Sequence, residues 1–495
     1  MSGHERGKTV GELPSPGGAE SRVPLLLTRV VWSLWAGSLV ALVGHLVSGW
    51  SWAFPGVVAV DGLTVVMWAT VTFFSGIVHS YSRRYMAGSR YVDRFFGGVF
   101  AFTLVVMALV AADSAVLFGL AWLAMGLVMA ELIGAIRGWP QARTAAAFAR
   151  RYFLASSALV GLALGTLWWD TGATTIGGMA SALGASPSVP VLFAAGALLL
   201  AAMIQSALLP FHSWLLASMT APTPASALMH AGFVNAGGIL LVRFAPVATV
   251  DSRVMLAVLL VGAASALGGK LLKSVQSDVK GQLGCSTVGQ MGFMLMQAGL
   301  GFFGAAITHL VLHGFYKAYH FLASGGQVAH ESPAESAPRE VPGPLGVAVI
   351  GLTALAGGGV FVALTGKGTG LDSGLLLTLL VVLTVMHAAR EVVAAASVPT
   401  AVRYGAVPLV AIPALAIYAA FFNVVAGLLA GLPAVGGPAE LTVVHGLVAV
   451  AFVVAYLAIE SGAYRYSTRL YVALVNTTYA PAGTLLTSTE EYNEH

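Results

Sequence analysis

The chain has 495 residues, 58% of them hydrophobic and only 9% charged, against about 25% charged in ordinary soluble domains. That balance excludes a soluble enzyme and places the chain in a bilayer. A formal net charge of +4 spread over separate loops gives no patch for nucleic acid, and a single cysteine, Cys285, excludes an internal disulfide and a cysteine-based metal cluster.

Residues 1–22 are polar and rich in Gly, Pro and Ser. They read as a disordered cytoplasmic tail, because the apolar run that follows is too long for a cleaved signal peptide. Runs long enough to cross a bilayer, about 20 residues each, then recur at 25–48, 59–81, 95–112, 114–136, 148–169, 189–209 and 222–245. They continue at 254–273, 281–300, 303–326, 343–364, 373–396, 405–430 and 441–461, about fourteen spans in all. The 59 glycines suit close helix approach. The organisation predicted is the tail, a transmembrane domain over 23–461, and a cytoplasmic C-terminal segment over 462–495.

Basic residues set the orientation. With the N-terminus inside, inner segments hold Arg6, Lys8, Arg22, Arg83, Arg84, Arg90, Arg94, Arg137, Arg143, Arg150, Arg151, Lys270, Lys273, Lys280, Arg339, Arg403, Arg465 and Arg469. Outer segments hold Arg243, Arg253 and Lys367, which is 18 against 3 of the 24 Lys and Arg; Arg29, Lys317 and Arg390 lie within spans. Both termini are therefore predicted cytoplasmic, in a multi-pass bacterial inner-membrane protein.

Asp113 opens its span as an expected helix cap. Pro210 follows the span 189–209, and Pro222 and Pro224 open the next. Proline removes a backbone donor, and freed backbone at membrane depth must be satisfied by protein or a wet cavity. A discontinuous helix is expected around 200–220. His230 sits inside the span 222–245, where it reads either as a hydrogen-bonded core residue or as a proton relay, for which an unperturbed pKa of about 6.5 suits it. Lys280 lies at a span boundary, where snorkelling is the default.

The most informative pattern is His309, His313, Lys317 and His320. At about 100° per residue they occupy an arc of roughly 80° on about 17 Å of helix. Ionisable groups at that depth are costly unless they face a bundle interior or hydrated cavity, so the stripe reads as an ion or proton path. Lys317 lies well within its span. The polar loop 327–342 carries His330, Glu331, Glu335, Arg339 and Glu340. Arg390 and Glu391 lie near the inner end of 373–396, with His387 one turn earlier. They read either as a snorkelling local pair or as part of the path. From Arg465 a short amphipathic helix is expected, on the inner surface or against a partner.

Three stretches together carry a resemblance: Pro210-Phe-His-Ser-Trp through His230-Ala-Gly-Phe-Val-Asn-Ala-Gly-Gly, Ser277-Asp-Val-Lys280-Gly-Gln-Leu-Gly-Cys-Ser-Thr, and the stripe from His309 to Gly325. They resemble the antiporter-like membrane subunits of respiratory complex I and of Mrp sodium/proton antiporters, over about residues 59–396. Asp61-Gly-Leu-Thr through Tyr81-Ser-Arg-Arg-Tyr-Met fits too. The resemblance implies an all-α polytopic fold with two inverted five-helix repeats, broken helices at mid-membrane and a central line of ionisable groups. It would place His230, Lys280 and the stripe on that line, and the end of the second half-path on the helix of Arg390 and Glu391.

Departures matter as much. The family's glutamate, after a tryptophan on the helix 114–136, falls on Leu123, and its partner lysine on Gln205. Glu131, eight residues past Leu123 and rotated by about 80°, is either a partial substitute or an interfacial glutamate. With residue 495 about 34 residues past the last span, the lateral helix of the long complex I member is expected to be absent. The run from His230 and the tail Arg469-Leu-Tyr-Val-Ala-Leu-Val-Asn resemble a third branch, the DabB membrane subunits of two-component bacterial inorganic-carbon accumulation complexes. That likeness implies a large peripheral cytoplasmic partner of DabA type, which carries zinc and hydrates CO₂ to bicarbonate while this chain conducts H⁺ or Na⁺. No catalytic residue, metal or other cofactor is expected in this chain. The alternative is a pump or antiporter subunit of a complex I-like or Mrp-like assembly.

Overall fold

A bilayer interior offers a peptide group no partner, so an apolar run that crosses it pairs its own N–H and C=O groups as a helix. The structure is a computed structural model and describes residues 21–184, 186–327, 342–394, 399–462 and 467–479. The predicted tail (1–20 of it), the charged residues of the 327–342 loop from His330 to Glu340, and Arg465 lie outside the described residues. The chain begins with α1 (Val23–Ser48), α2 (Gly62–Tyr85), α3 (Val92–Ala111), α4 (Ala115–Ile133), α5 (Pro140–Thr171), α6 (Ile176–Ala182) and α7 (Val189–Gln205). A broken region follows, with α8 (Ser213–Ala217), α9 (Thr223–Ala231), α10 (Ala236–Arg243) and α11 (Ala245–Ala248). Beyond it run α12 (Ser252–Ser274), α13 (Val279–Gly299), α14 (Phe303–Gln327), α15 (Pro344–Thr365), α16 (Gly374–Val393), α17 (Thr400–Leu429), α18 (Val443–Glu460) and α19 (Thr468–Thr478).

Every predicted span falls on one of these helices or, for 222–245, on the pair α9 and α10. Among the described residues, eleven spans are long and apolar enough to cross a membrane, α9 and α10 counting as one. Length and composition thus give eleven crossings where about fourteen were expected. The remaining three are α7, which a break cuts at 17 residues, and α13 and α14, whose polar residues lower their apolarity. Two short strands, β1 (Trp52–Phe54) and β2 (Val58–Val60), form an antiparallel hairpin that the sequence reading missed. α5 starts eight residues before its apolar run, with Pro140 at its first turn, where a missing N–H costs nothing. The cap of α4 is Ser114; Asp113 instead accepts from the Gly177 backbone N–H at 3.0 Å. The expected C-terminal helix exists as α19, and its Thr477 carbonyl accepts from His212 Nε2 at 3.0 Å.

One apolar core joins α2–α5, α7, α9, α10, α13 and α14; a second joins α12 and α13 to α16, α17 and α18. The seam between them is the pair α12 and α13, and glycine sets its spacing. A Cβ at Gly269 would stand 2.2 Å from the Gly289 nitrogen, and one at Gly292 would stand 2.5 Å from that of Ala266. Backbones this close leave no room for a methyl group, and small residues are how membrane helices approach.

Gly269→Val and Gly292→Val are each expected to abolish recovery of folded protein from membranes. Gly165→Ala, where a Cβ meets nothing within 4 Å, should be recovered normally and melt no lower, since alanine is favoured over glycine in a helix by about 1 kcal/mol. Thermal melting in detergent of the recovered proteins checks both.

Candidate functional site

The expected discontinuity is present, and a second one stands beside it. α7 ends at Gln205, and Trp214 Nε1 donates to the Ile204 carbonyl at 2.9 Å. The next span breaks at Gly232, between α9 and α10, with no proline at the break. Two carbonyls at this break take side chains: Asn235 Nδ2 donates to Ala231 O at 2.7 Å, and Ser206 Oγ to Val234 O at 2.6 Å. α14 presses on this break through Gly314, whose Cβ position would lie 3.0 Å from Ala231 O. That contact sets the stripe of α14 against the broken helix.

His230 is the penultimate residue of α9, two residues before the break at Gly232. Its Nδ1 is 2.9 Å from Thr287 Oγ1 on α13, its ring stacks on Phe321 of α14 at 4.3 Å, and its Nε2 is buried without a protein partner. Thr287 Oγ1 donates to the Leu283 carbonyl at 2.9 Å, and Lys317 Nζ donates to the same carbonyl at 2.8 Å. The lysine side chain is fully buried. His313, one turn earlier, is buried with neither ring nitrogen partnered, and its ring lies parallel to that of His309 at 5.8 Å. His230, His313 and Lys317 are mutually within electrostatic reach.

The structure therefore brings His230, His309, His313 and Lys317 together. His320 is half-buried against the Tyr316 ring at 4.3 Å. Lys280 is half-buried in the first turn of α13, within electrostatic reach of His230. Glu131 is not brought in: its side chain is 60% exposed and pairs with Arg94 and Arg137, which makes it the interfacial glutamate of the two readings. At the altered pair, Leu123 is half-buried, and Gln205 is buried with its Nε2 unpartnered. Next to Leu123, Trp122 Nε1 donates to Ser156 Oγ and Ser156 Oγ to the Ala201 carbonyl, both at 3.1 Å.

Arg390 is not in a local pair with Glu391. Its Nη1 is 2.9 Å from Glu460 Oε2, at the end of α18. Glu460 also faces His387 Nδ1 at 2.6 Å, and His387 Nε2 faces Lys270 Nζ at 2.8 Å. Glu391 is exposed and lies within electrostatic reach of Lys270. Sequence reasoning missed Thr287, the Leu283 carbonyl, Lys270 and Glu460 as members of polar networks. Lys270 and Glu460 had a signal, since each is a charged residue at the end of an apolar run. A backbone carbonyl has none.

Parts of the chain match known proteins. Residues 112–340 match the family described as NADH:quinone oxidoreductase/Mrp antiporter, transmembrane, and residues 51–96 match the complex I chain 5 N-terminus. The "probable inorganic carbon transporter subunit DabB1" of Halothiobacillus neapolitanus is 39% identical over 284 residues, 56% of this chain and 50% of that protein. The Bacillus subtilis protein of like description, DabB, is 36% identical over 322 residues, 63% and 62% of the two chains. NADH-quinone oxidoreductase subunit L of Mycobacterium tuberculosis is 37% identical over 308 residues, 60% and 48%. The chain thus spans about half the length of most of these curated relatives. A chain of the Mrp complex from Dietzia sp. DQ12-45-1b shares the fold, with a TM-score of 0.58 at 20% identity over 92% of this chain and 57% of that one.

Lys317→Met keeps side-chain length and removes the buried amine. Desolvating an ammonium costs several kcal/mol, and one hydrogen bond from a charged group returns only about 1.5–3 kcal/mol. The variant is therefore expected to melt at or above the wild-type temperature in detergent. A clear drop would mean that the bond to Leu283 holds the bundle together.

Proposed function

We propose that this chain, an antiporter-like membrane subunit, conducts protons and uses their downhill flow to drive a large peripheral partner of DabA type that hydrates CO₂ to bicarbonate. The observation that carries the conduction is the buried cluster of His230, His313 and Lys317, in which Thr287, facing His230, and Lys317 are anchored on the same Leu283 carbonyl. Buried ionisable groups at membrane depth mark proton relays. The cluster favours H⁺ over Na⁺, because its charged member is an ammonium that repels a metal cation, while amine and imidazole nitrogens can both take up and release a proton. The carbon-accumulating role rests on the likeness to the DabB relatives, probable inorganic carbon transporter subunits. Zinc and the hydration chemistry would belong to the partner.

The second reading, a subunit of a complex I-like or Mrp-like array, is favoured by the likeness to subunit L and to the Mrp chain. Against it stand Leu123 and Gln205, where that group, as the resemblance implies, keeps an ion pair. Purification from native membranes separates the two readings by what comes with the chain: one large zinc protein, or several antiporter-like subunits.

Lys317→Ala and His313→Ala are expected to abolish ion-dependent activity while leaving the complex assembled. Full activity in both would reduce the stripe to packing. The coupling has a thermodynamic test. One charge moved through 100 mV is worth about 2.3 kcal/mol, enough to bias hydration by more than tenfold. The two genes together are expected to rescue a carbonic-anhydrase-deficient bacterium in air, and an uncoupler should abolish that rescue. Rescue that survives complete uncoupling would overturn the coupling.

A further inference from the structure

We infer that Lys270, His387 and Glu460 form a second proton-exchange site, away from the His230–Lys317 cluster, through which protons pass between that cluster and the end of the bundle. The inference rests on the proton-conducting reading above. Three helices from different parts of the chain bring their C-terminal turns together here: α12 supplies Lys270, α16 supplies His387 and Arg390, and α18 supplies Glu460 as its last residue.

The hydrogen bonds run one way. An ammonium only donates and a carboxylate only accepts. With Lys270 Nζ at 2.8 Å from Nε2 and Glu460 Oε1 at 2.6 Å from Nδ1, the His387 ring accepts on Nε2 and donates from Nδ1. Lysine, imidazole and carboxylate thus stand in one donor-to-acceptor chain. A proton on Lys270 Nζ passes to His387 Nε2 while the Nδ1 proton passes to Glu460 Oε1. One N–H bond forms at the ring as the other breaks, the amine is left neutral, and the carboxylate becomes an acid that releases its proton to water. The ring, open to solvent, then gives its Nε2 proton to water and takes one from water at Nδ1, and Lys270 is reprotonated.

Arg390 is a positioning residue. A carboxylate at a helix C-terminus opposes the helix dipole, and Arg390 offsets this by binding Oε2 at 2.9 Å and the Glu460 carbonyl at 3.1 Å. That fork leaves Oε1 for the ring. The site is open enough for exchange, with the His387 side chain 33% and that of Glu460 11% exposed. Lys273, three residues from Lys270 on α12, links it inward: it lies within electrostatic reach of Lys270, Lys317 and His320.

The test compares variants of the complete complex in proteoliposomes, reading proton flux with an enclosed pH dye and folding by thermal melting. His387→Gln can hydrogen-bond to both neighbours but cannot relay a proton. Lys270→Arg keeps the charge and the donor but does not release its proton. A structural staple would tolerate Lys270→Arg. Each variant is expected to lower flux at least tenfold at an unchanged melting temperature. If His387→Gln fails to fold, Lys270→Arg decides alone. Wild-type flux in Lys270→Arg overturns the inference; where Lys317→Ala has lost its flux, the proposed function stands. Wild-type flux in Lys270→Arg and Lys317→Ala alike overturns both.

Discussion

A carbonyl released from a helix inside hydrocarbon has no water to bond, and leaving it bare costs several kcal/mol. This chain interrupts two neighbouring spans and gives side-chain donors to carbonyls at both breaks: at the first, Trp214 of α8 donates to Ile204. Ser206, just past α7, donates to Val234 in the break between α9 and α10, and Asn235 in that second break donates to Ala231. The two interruptions hold each other in place, and His230 is fixed at the lip of one of them. The polar groups around His230 are positioned from this junction: α14 meets it through Gly314, and α13 reaches it through Thr287.

Lys317 follows from the same constraint. Its ammonium is held by a single carbonyl, Leu283, which also takes the Thr287 hydroxyl. Leu283 lies in the second turn of α13, where its carbonyl also belongs to the helix ladder. A lysine served by one shared carbonyl is costly to keep charged. That poor provision suits a group that must give up its proton, and it would be a poor choice for a structural staple. Arg243 shows the contrast. It is paired with Asp61 and also donates to Thr64 at 3.2 Å and to the Val110 carbonyl at 2.5 Å, so it ties α10 to the N-cap of α2 and to α3.

The sequence could show these features only in proportion to how local they are. Apolar runs located every long helix, since a span is decided by its own residues. The break at Pro210 was visible because proline acts on its own backbone. The break at Gly232 was not, because it depends on Asn235 and Ser206 meeting carbonyls through the fold. The periodicity of α14 put four ionisable groups on one face, and the structure buries two of them, His313 and Lys317, while leaving His309 and His320 half-covered. Glu131 fails by the same logic in reverse. An offset of about 80° from Leu123 fixes its direction relative to one neighbour but not which direction faces water. Glu460 was legible as an acid inside the last span; that its partners sit on α12 and α16 was not.

The glycine-spaced seam of α12 and α13 has a consequence for how the two polar sites communicate. α13 carries Leu283 and Thr287 beside His230 and Lys317, and α12 carries Lys270 of the second site with Lys273 next to it. Backbones in contact at Gly269 and Gly289, and at Gly292 and Ala266, cannot slide past one another without a clash. The distance between the two sites is therefore fixed by the seam, and proton transfer requires hydrogen-bond distances. In the proposed path the side chain that spans this fixed gap is Lys273, half-exposed and within electrostatic reach of both Lys270 and Lys317.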